Sequence, residues 1–544
     1  MANVGQGLRH KRSFGWWPWL ALAAFWFITM PFRPLVDPDE GRYAEIPREM
    51  AATGDWVTPR LNGLKYFEKP PMQYWATAAT YSLFGFSEWT ARLWTVGLGF
   101  LCLPMVFGWT RRLYGEGAGF AAMIALAVSP YFELIAHLNI LDSGFAFFLA
   151  AAVFTFARGQ SSPQGSASER RWVLVAWLAA ALAILTKGIV VGVLAGATLV
   201  GYSLVERDFR PWRRLHLAWG LPLFLAVTVP WFVAVSARNP SFLQFFFVHE
   251  HFARFLTKVH KREEPWWYFL SMLAIGALPW LLTMPRALRG AWLESKGDSG
   301  FKPLKFLLIF SAVTLLFFSV SSSKLAPYIL PMMPALAAVI GASVAGSPTF
   351  ARTMARITGL LMPVLVAGLV IYTMRRYGYF PRSAIHWLIG AVTVGVYGVW
   401  ATWKRDVPVV AAVWATAASA ILGWQCLLSA FTELPERSSY KLVQTIKPLI
   451  GPQTELFTIG QYRETLSPYL GRTMTVVQFQ GELEFGLTEE PSLGLTADAF
   501  LARWNASTNA VAFIAPGILD EWRSRGMQAK VIGGDNQTLV VSRL

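Results

Sequence analysis

The chain has 544 residues, 54% of them hydrophobic and 15% charged, where a soluble domain carries about 25% charged. That balance, with 25 Trp, 39 Phe and a mean hydropathy of +0.41, excludes an ordinary soluble protein and predicts a membrane protein with aromatic belts at two interfaces. The formal net charge of +16 belongs to the membrane part, because residues 434–544 hold 10 basic and 11 acidic residues; no nucleic-acid partner is expected.

Arg9, Lys11 and Arg12 precede the apolar run Trp16–Phe32, as in a signal peptide. No small-x-small cleavage site precedes the exit PFRPL, so the run reads as an uncleaved first helix. A spanning helix needs about 20 apolar residues, which predicts about thirteen spans. They fall near residues 15–33, 87–109, 118–134, 140–157, 172–187, 189–205, 216–236, 266–284, 304–320, 325–345, 355–373, 384–402 and 408–430. Only HLN divides the third from the fourth, and only Lys187-Gly188 the fifth from the sixth. With the N-terminus inside, each inner loop carries basic residues, from Arg111 and Arg112 to Lys404 and Arg405, as the positive-inside rule requires. The C-terminus is then outside. Cys102 and Cys426 lie in apolar runs and indicate no disulfide framework.

Two outer loops, 34–86 and 237–265, are too long for plain connectors. The first opens with VDPDEGRYAE, which sets Asp37, Asp39, Glu40 and Glu45 beside an uncharged helix, and continues through Tyr66, Glu68 and Lys69. Its prolines and aromatics predict a fixed loop with short amphipathic helices on the membrane surface. The residues alone leave solvated charge and a functional role both open. The second loop holds FFFVHEHFARF, with His249, Glu250 and Arg254, then Lys258, Lys261 and Arg262. Arg254, set among Phe residues, suits a phosphate, whereas the later cations also suit snorkelling to headgroups. Glu68 with His249 could form part of a metal site.

Asp142, Lys187 and Lys324 sit at the outer ends of apolar runs, where a functional role competes with snorkelling. They converge on the side of both long loops. From about Glu433, short apolar strands (ELFTIG, TMTVVQF, NAVAFIA, QAKVIGG, QTLVVSRL) alternate with helical stretches, which predicts a soluble α/β domain over 434–544 behind a membrane domain over 1–433. Two functional classes follow: an enzyme acting on a phosphorylated lipid, or a transporter. Transporters tend to show internal repeats, and none is visible, so the enzyme is favoured.

The stretch DPDEGRYAEIPREMAATGDWVTPRLNGLKYFEKPPMQYW, with LDSGFAFF, LTKG, HEHFARF and SKLAPYILPMMPALA following in order, resembles the GT-C glycosyltransferases related to protein O-mannosyltransferases, in particular the 4-amino-4-deoxy-L-arabinose lipid A transferases. The resemblance covers residues 15–345. It implies an inverting transferase in the inner membrane of a Gram-negative bacterium, with its active site and tail periplasmic. The donor would be undecaprenyl phosphate-linked aminoarabinose and the acceptor a lipid A phosphate, a modification tied to resistance to cationic peptides. It puts catalytic roles on Asp39, Glu40 and Asp142 and donor-phosphate contacts on Lys69 and Arg254. Substrate contacts would fall on Arg42, Tyr43, Tyr66, Lys187, Lys324 and Tyr328. No cofactor is required, though a divalent metal such as zinc at Glu68 and His249 stays open. The enzyme is expected to be a monomer among inner-membrane lipids, with a tail that covers the membrane part and carries no catalytic residue. The alternative is a relative that modifies a protein or glycan hydroxyl.

Overall fold

The computed structural model describes residues 16–253, 264–297, 299–344, 348–403 and 409–543. It begins with α1 (Trp17–Phe27) and a 3-10 turn at Met30–Phe32. The first long loop then folds as α2 (Asp39–Thr53), a hairpin of β1 (Arg60–Leu61) and β2 (Leu64–Lys65), and α3 (Met72–Phe84). The hairpin turns on Asn62-Gly63, both at positive φ, which an Asn-Gly pair adopts readily. The helices α4 (Glu88–Tyr114), α5 (Glu116–Ala127), α6 (Pro130–Ala136), α7 (Leu141–Gln160), α8 (Ala167–Lys187) and α9 (Val190–Glu206) follow.

Among the described residues, eight helices are long and apolar enough to cross a membrane, and a ninth crossing results if α5 and α6, bent by 65°, count as one. Two shorter apolar helices, Pro18–Phe32 and Val190–Glu206, add to these. The sequence break at Lys187-Gly188 is real: Gly188, at φ +87°, ends α8 and donates its N–H to Ile184 O. One expectation needs correction. The single span over 266–284 is three pieces, Tyr268–Gly276, Trp280–Leu282 and Met284–Trp292, because Pro279 and Pro285 lack the N–H that a continuous helix needs.

The tail forms a six-stranded sheet in the order β5-β4-β3-β6-β8-β7. Here β3 is Glu455–Ile459, β4 Thr475–Val477, β5 Gly494–Leu495, β6 Ala510–Ile514, β7 Ala529–Gly534 and β8 Leu539–Arg543. The first four strands are parallel, and β8 and β7 close the edge antiparallel. The five strands read from the sequence are all present; β5 is a short addition. Phe457, Phe500, Trp504 and Trp522 pack edge to face in the core.

The tail is docked on the first loop by buried polar contacts. Asp37 accepts from Thr465 N at 2.8 Å and from Arg463, which also meets Asp535. Asn62 and Met474 exchange two hydrogen bonds at 2.8 and 2.7 Å. Arg60 pairs with Glu490. The helix α2 is therefore held between membrane helices and tail rather than laid on a membrane surface. The closest approach is at Gly41, where an added Cβ would sit 2.5 Å from the carbonyl carbon of Glu464 and 2.6 Å from Thr465 N. Gly41→Ala is expected to cost about 1–3 kcal/mol by overpacking. It should also loosen the tail, read as faster proteolysis between Thr432 and Tyr440 than in the parent protein.

Candidate active site

A cavity of about 1010 Å³ opens where α2, the starts of α7 and α9, the end of α8 and the tail meet. Its ionisable lining comes from five places: Asp39 and Arg42 on α2; Glu68 and Lys69 before α3; Asp142 on α7 with Lys187 on α8; His249 and Glu250 in the second loop; and Glu482 and Glu484 in the tail. Tyr43, Phe245, Phe317, Phe318 and Tyr328 supply aromatic walls.

The four carboxylates of VDPDEGRYAE have four separate jobs. A helix turns about 100° per residue, so adjacent side chains face different directions. Asp37 anchors the tail. Asp39, in the first turn of α2 with its side chain 54% exposed, faces the cavity and accepts from Arg42 at 2.8 Å. Glu45 is held by Arg48 through two bonds, at 2.7 and 2.6 Å.

Glu40 is only 1% exposed and points into the protein, which corrects its expected catalytic role. Its Oε1 accepts from Arg92 Nε at 2.8 Å and Asn139 N at 2.7 Å, and its Oε2 from Arg92 Nη2 at 2.7 Å and Val36 N at 3.0 Å. Burial alone would raise its pKa, but the charge and hydrogen bonds of Arg92 outweigh burial and hold it below the usual carboxylate range. Arg92 was not singled out in the sequence, although a lone arginine near the start of an apolar helix was the available signal.

Ion pairs organise the rest. Arg42 bridges Asp39 and Glu482 of the tail. Lys187, isolated in the sequence, pairs with Asp142 and lies 4.7 Å from the Tyr328 ring centroid. Lys69 lies 3.4 Å from Glu250, and His249 stacks on Phe245. Tyr43, a cavity residue, stacks on Tyr74. Tyr66 is buried next to Arg42 and off the cavity wall. Lys324 also turns away: its ammonium donates to Ser321 O at 2.8 Å and fastens the turn whose Ser321 and Ser323 line the cavity. Arg254 lies outside the described residues. The tail's Glu482 and Glu484 went unnoticed in the sequence, where acids in a soluble domain read as solvated surface.

Glu68 and His249, the expected metal ligands, line the same cavity. Among the described residues, no group of three or more His, Cys, Asp or Glu forms a possible metal cage.

A family model described as dolichyl-phosphate-mannose-protein mannosyltransferase matches residues 11–246, and one described as aminoarabinose transferase C-terminal domain matches 442–543. The undecaprenyl phosphate-alpha-4-amino-4-deoxy-L-arabinose arabinosyl transferase of Pseudomonas aeruginosa is 30% identical over 493 residues, 86% of each chain. The enzyme of that name from Edwardsiella ictaluri is 28% identical over 509 residues, 89% of each chain. Among solved structures, ArnT from Cupriavidus metallidurans bound to undecaprenyl phosphate superimposes with a TM-score of 0.88 at 33% identity, covering 96% of this chain and 97% of that one. Its apo state gives 0.85.

Two expectations follow from the geometry. Glu40→Gln should destabilise the protein by about 3–5 kcal/mol, the cost of breaking a buried pair, while Asp39→Asn changes stability by less than about 1 kcal/mol; chemical unfolding of both variants checks this. The second concerns Glu49 on α2, where burial and then neighbouring Glu45 push the carboxyl up to about 8. The folded value lies above the unfolded one, so this group's stabilising contribution is full below about pH 4.3 and is lost as pH rises through about 8. The thermal midpoint should therefore fall between about pH 4.3 and pH 8 and level off above that, and Glu49→Gln should flatten the fall.

Proposed function

Because the chain belongs to the undecaprenyl phosphate-aminoarabinose arabinosyl transferase family, we propose that it transfers 4-amino-4-deoxy-L-arabinose from undecaprenyl phosphate to a phosphate of lipid A. The observation that carries this reading is the cavity, where the exposed carboxylate Asp39 stands in one wall and Lys69 in another. The setting is the outer leaflet of a Gram-negative inner membrane, with the N-terminus cytoplasmic and the tail periplasmic. Support for that orientation comes from the basic inner loops.

The bond between the anomeric carbon and the donor phosphate oxygen breaks, and an oxygen of the acceptor phosphate bonds to the opposite face of that carbon, inverting it. The electron pair of the broken bond leaves with undecaprenyl phosphate. Positive charge develops on the sugar ring, and Asp39 is placed to stabilise it; negative charge develops on the departing phosphate, and Lys69 is placed to neutralise it. Arg254 would join Lys69 in that role. The amino group of the sugar, a cation at neutral pH, suits a cavity that also carries Glu482 and Glu484. An acceptor phosphate is already an anion, so no general base is needed, and Asp39 acts by electrostatics and orientation. Asp142 pairs with Lys187 in the cavity wall, and Lys187 is the candidate contact for the acceptor phosphate.

Asp39→Asn should lower turnover by about 100-fold or more with the fold retained. A purified, monodisperse variant with near-parental turnover would remove Asp39 from the mechanism. The acceptor is tested by supplying the enzyme with donor and either lipid A or its dephosphorylated form. Transfer is expected to the phosphorylated form only. Equal transfer to both would point to the hydroxyl-modifying alternative, with Asp39 as base.

A further inference from the structure

The helices that deliver Asp142 and Lys187 to the cavity carry a different cluster at their far ends. There α7 ends with Arg158, and α8 begins with Arg170 and Arg171. The Arg158 guanidinium stacks 3.9 Å from the Trp172 ring centroid, and that of Arg171 lies 5.8 Å from the same ring. Arg112 stands in the last turn of α4. The adjacent carboxylate, Glu169, is taken by Arg214 and His216. Among the described residues, no carboxylate pairs with Arg112, Arg158, Arg170 or Arg171. Guanidiniums gathered in this way, one of them held flat on an indole, form a preorganised receptor for an anion.

The neighbouring surface says which anion. Arg170 and Arg171 stand at one end of a shallow groove of about 420 Å³, continued by Leu174, Val175 and Leu178 of α8 and walled by Leu223 of the helix Leu217–Arg238. Spacings of three and four residues put these side chains on one helix face. From residue 170 to 178 the face runs about 12 Å along the helix axis, at 1.5 Å per residue. It is cationic at the interface end and apolar toward the membrane interior. A free phosphate would use only the first part; a phospholipid uses both.

We propose that this groove binds an anionic phospholipid, with its phosphate between Arg170 and Arg171 and an acyl chain along Leu174, Leu178 and Leu223. The site lies at the opposite end of α7 and α8 from the cavity. Its lipid is a structural ligand of the membrane domain.

The test uses the full-length protein, delipidated in a neutral detergent and titrated with phosphatidylglycerol or phosphatidylcholine, with bound lipid read by native mass spectrometry. Phosphatidylglycerol should bind about tenfold more tightly, a preference of the size that charge-assisted contacts give. The double variant Arg170→Gln/Arg171→Gln should lose that preference, whereas Arg286→Gln/Arg289→Gln, an equal charge change at an exposed pair on another helix, should keep it. Leu178→Asn should weaken phosphatidylglycerol binding, and millimolar inorganic phosphate should not displace the lipid. No preference between the two lipids in the parent protein overturns the proposal, with no variant required. So does an equal loss in both arginine variants, which means a diffuse basic field. Displacement by inorganic phosphate, or no effect of Leu178→Asn, reduces the site to one for a soluble anion and equally overturns it.

Discussion

The arrangement of the cavity depends on one buried ion pair, Glu40 with Arg92. Such a pair is costly to bury and persists only when every donor and acceptor is satisfied. That condition is met here. Arg92 uses its five N–H groups on both oxygens of Glu40 and on the carbonyls of Met30, Arg33 and Pro34, and Glu40 accepts two further bonds, from Val36 and Asn139. The pair thus ties together the exit of the first apolar helix, the start of α2, the body of α4 and the turn before α7. Asp39 is the residue next to Glu40, and Asp142 lies three residues after Asn139. The geometry of Asp39 and Asp142 is therefore set by a contact that neither of them makes.

Opposite charges in the cavity are paired across elements rather than pooled. Arg42 links α2 to the tail through Glu482, Lys187 links α8 to α7 through Asp142, and Lys69 links the first loop to the second through Glu250. Each pair keeps a charge poised while limiting the free field inside a low-dielectric space. A substrate that brings both an ammonium and phosphates can exchange with such pairs without leaving a buried charge alone. The tail is accordingly a wall of the site as well as its cover.

Much of this was legible in the sequence, for physical reasons. Long apolar runs and the strand patterns of the tail depend on local composition, which the chain states directly. Asp39, Lys69, Asp142 and Lys187 stood out because a charge beside an apolar run has few cheap explanations. Glu40 was misassigned because adjacency in sequence was taken for adjacency in space, and one step along α2 turns a side chain from the cavity into the interior. Tyr66 and Lys324 sit near the right place, but their orientation depends on packing. Glu482 and Glu484 were invisible for the converse reason: their role comes only from the docking of a domain whose composition is that of any soluble fold.

That docking has a consequence for biogenesis. The chain is made from its N-terminus, and the segment Gly481–Thr488 that closes the cavity follows the membrane helices in chain order. Until it arrives, Arg42 lacks Glu482 and the pocket is open on one side. The membrane helices can insert and pack long before the site is complete. A chain stalled before Gly481 would therefore carry the acids and bases of the membrane part without the enclosure that makes them a pocket.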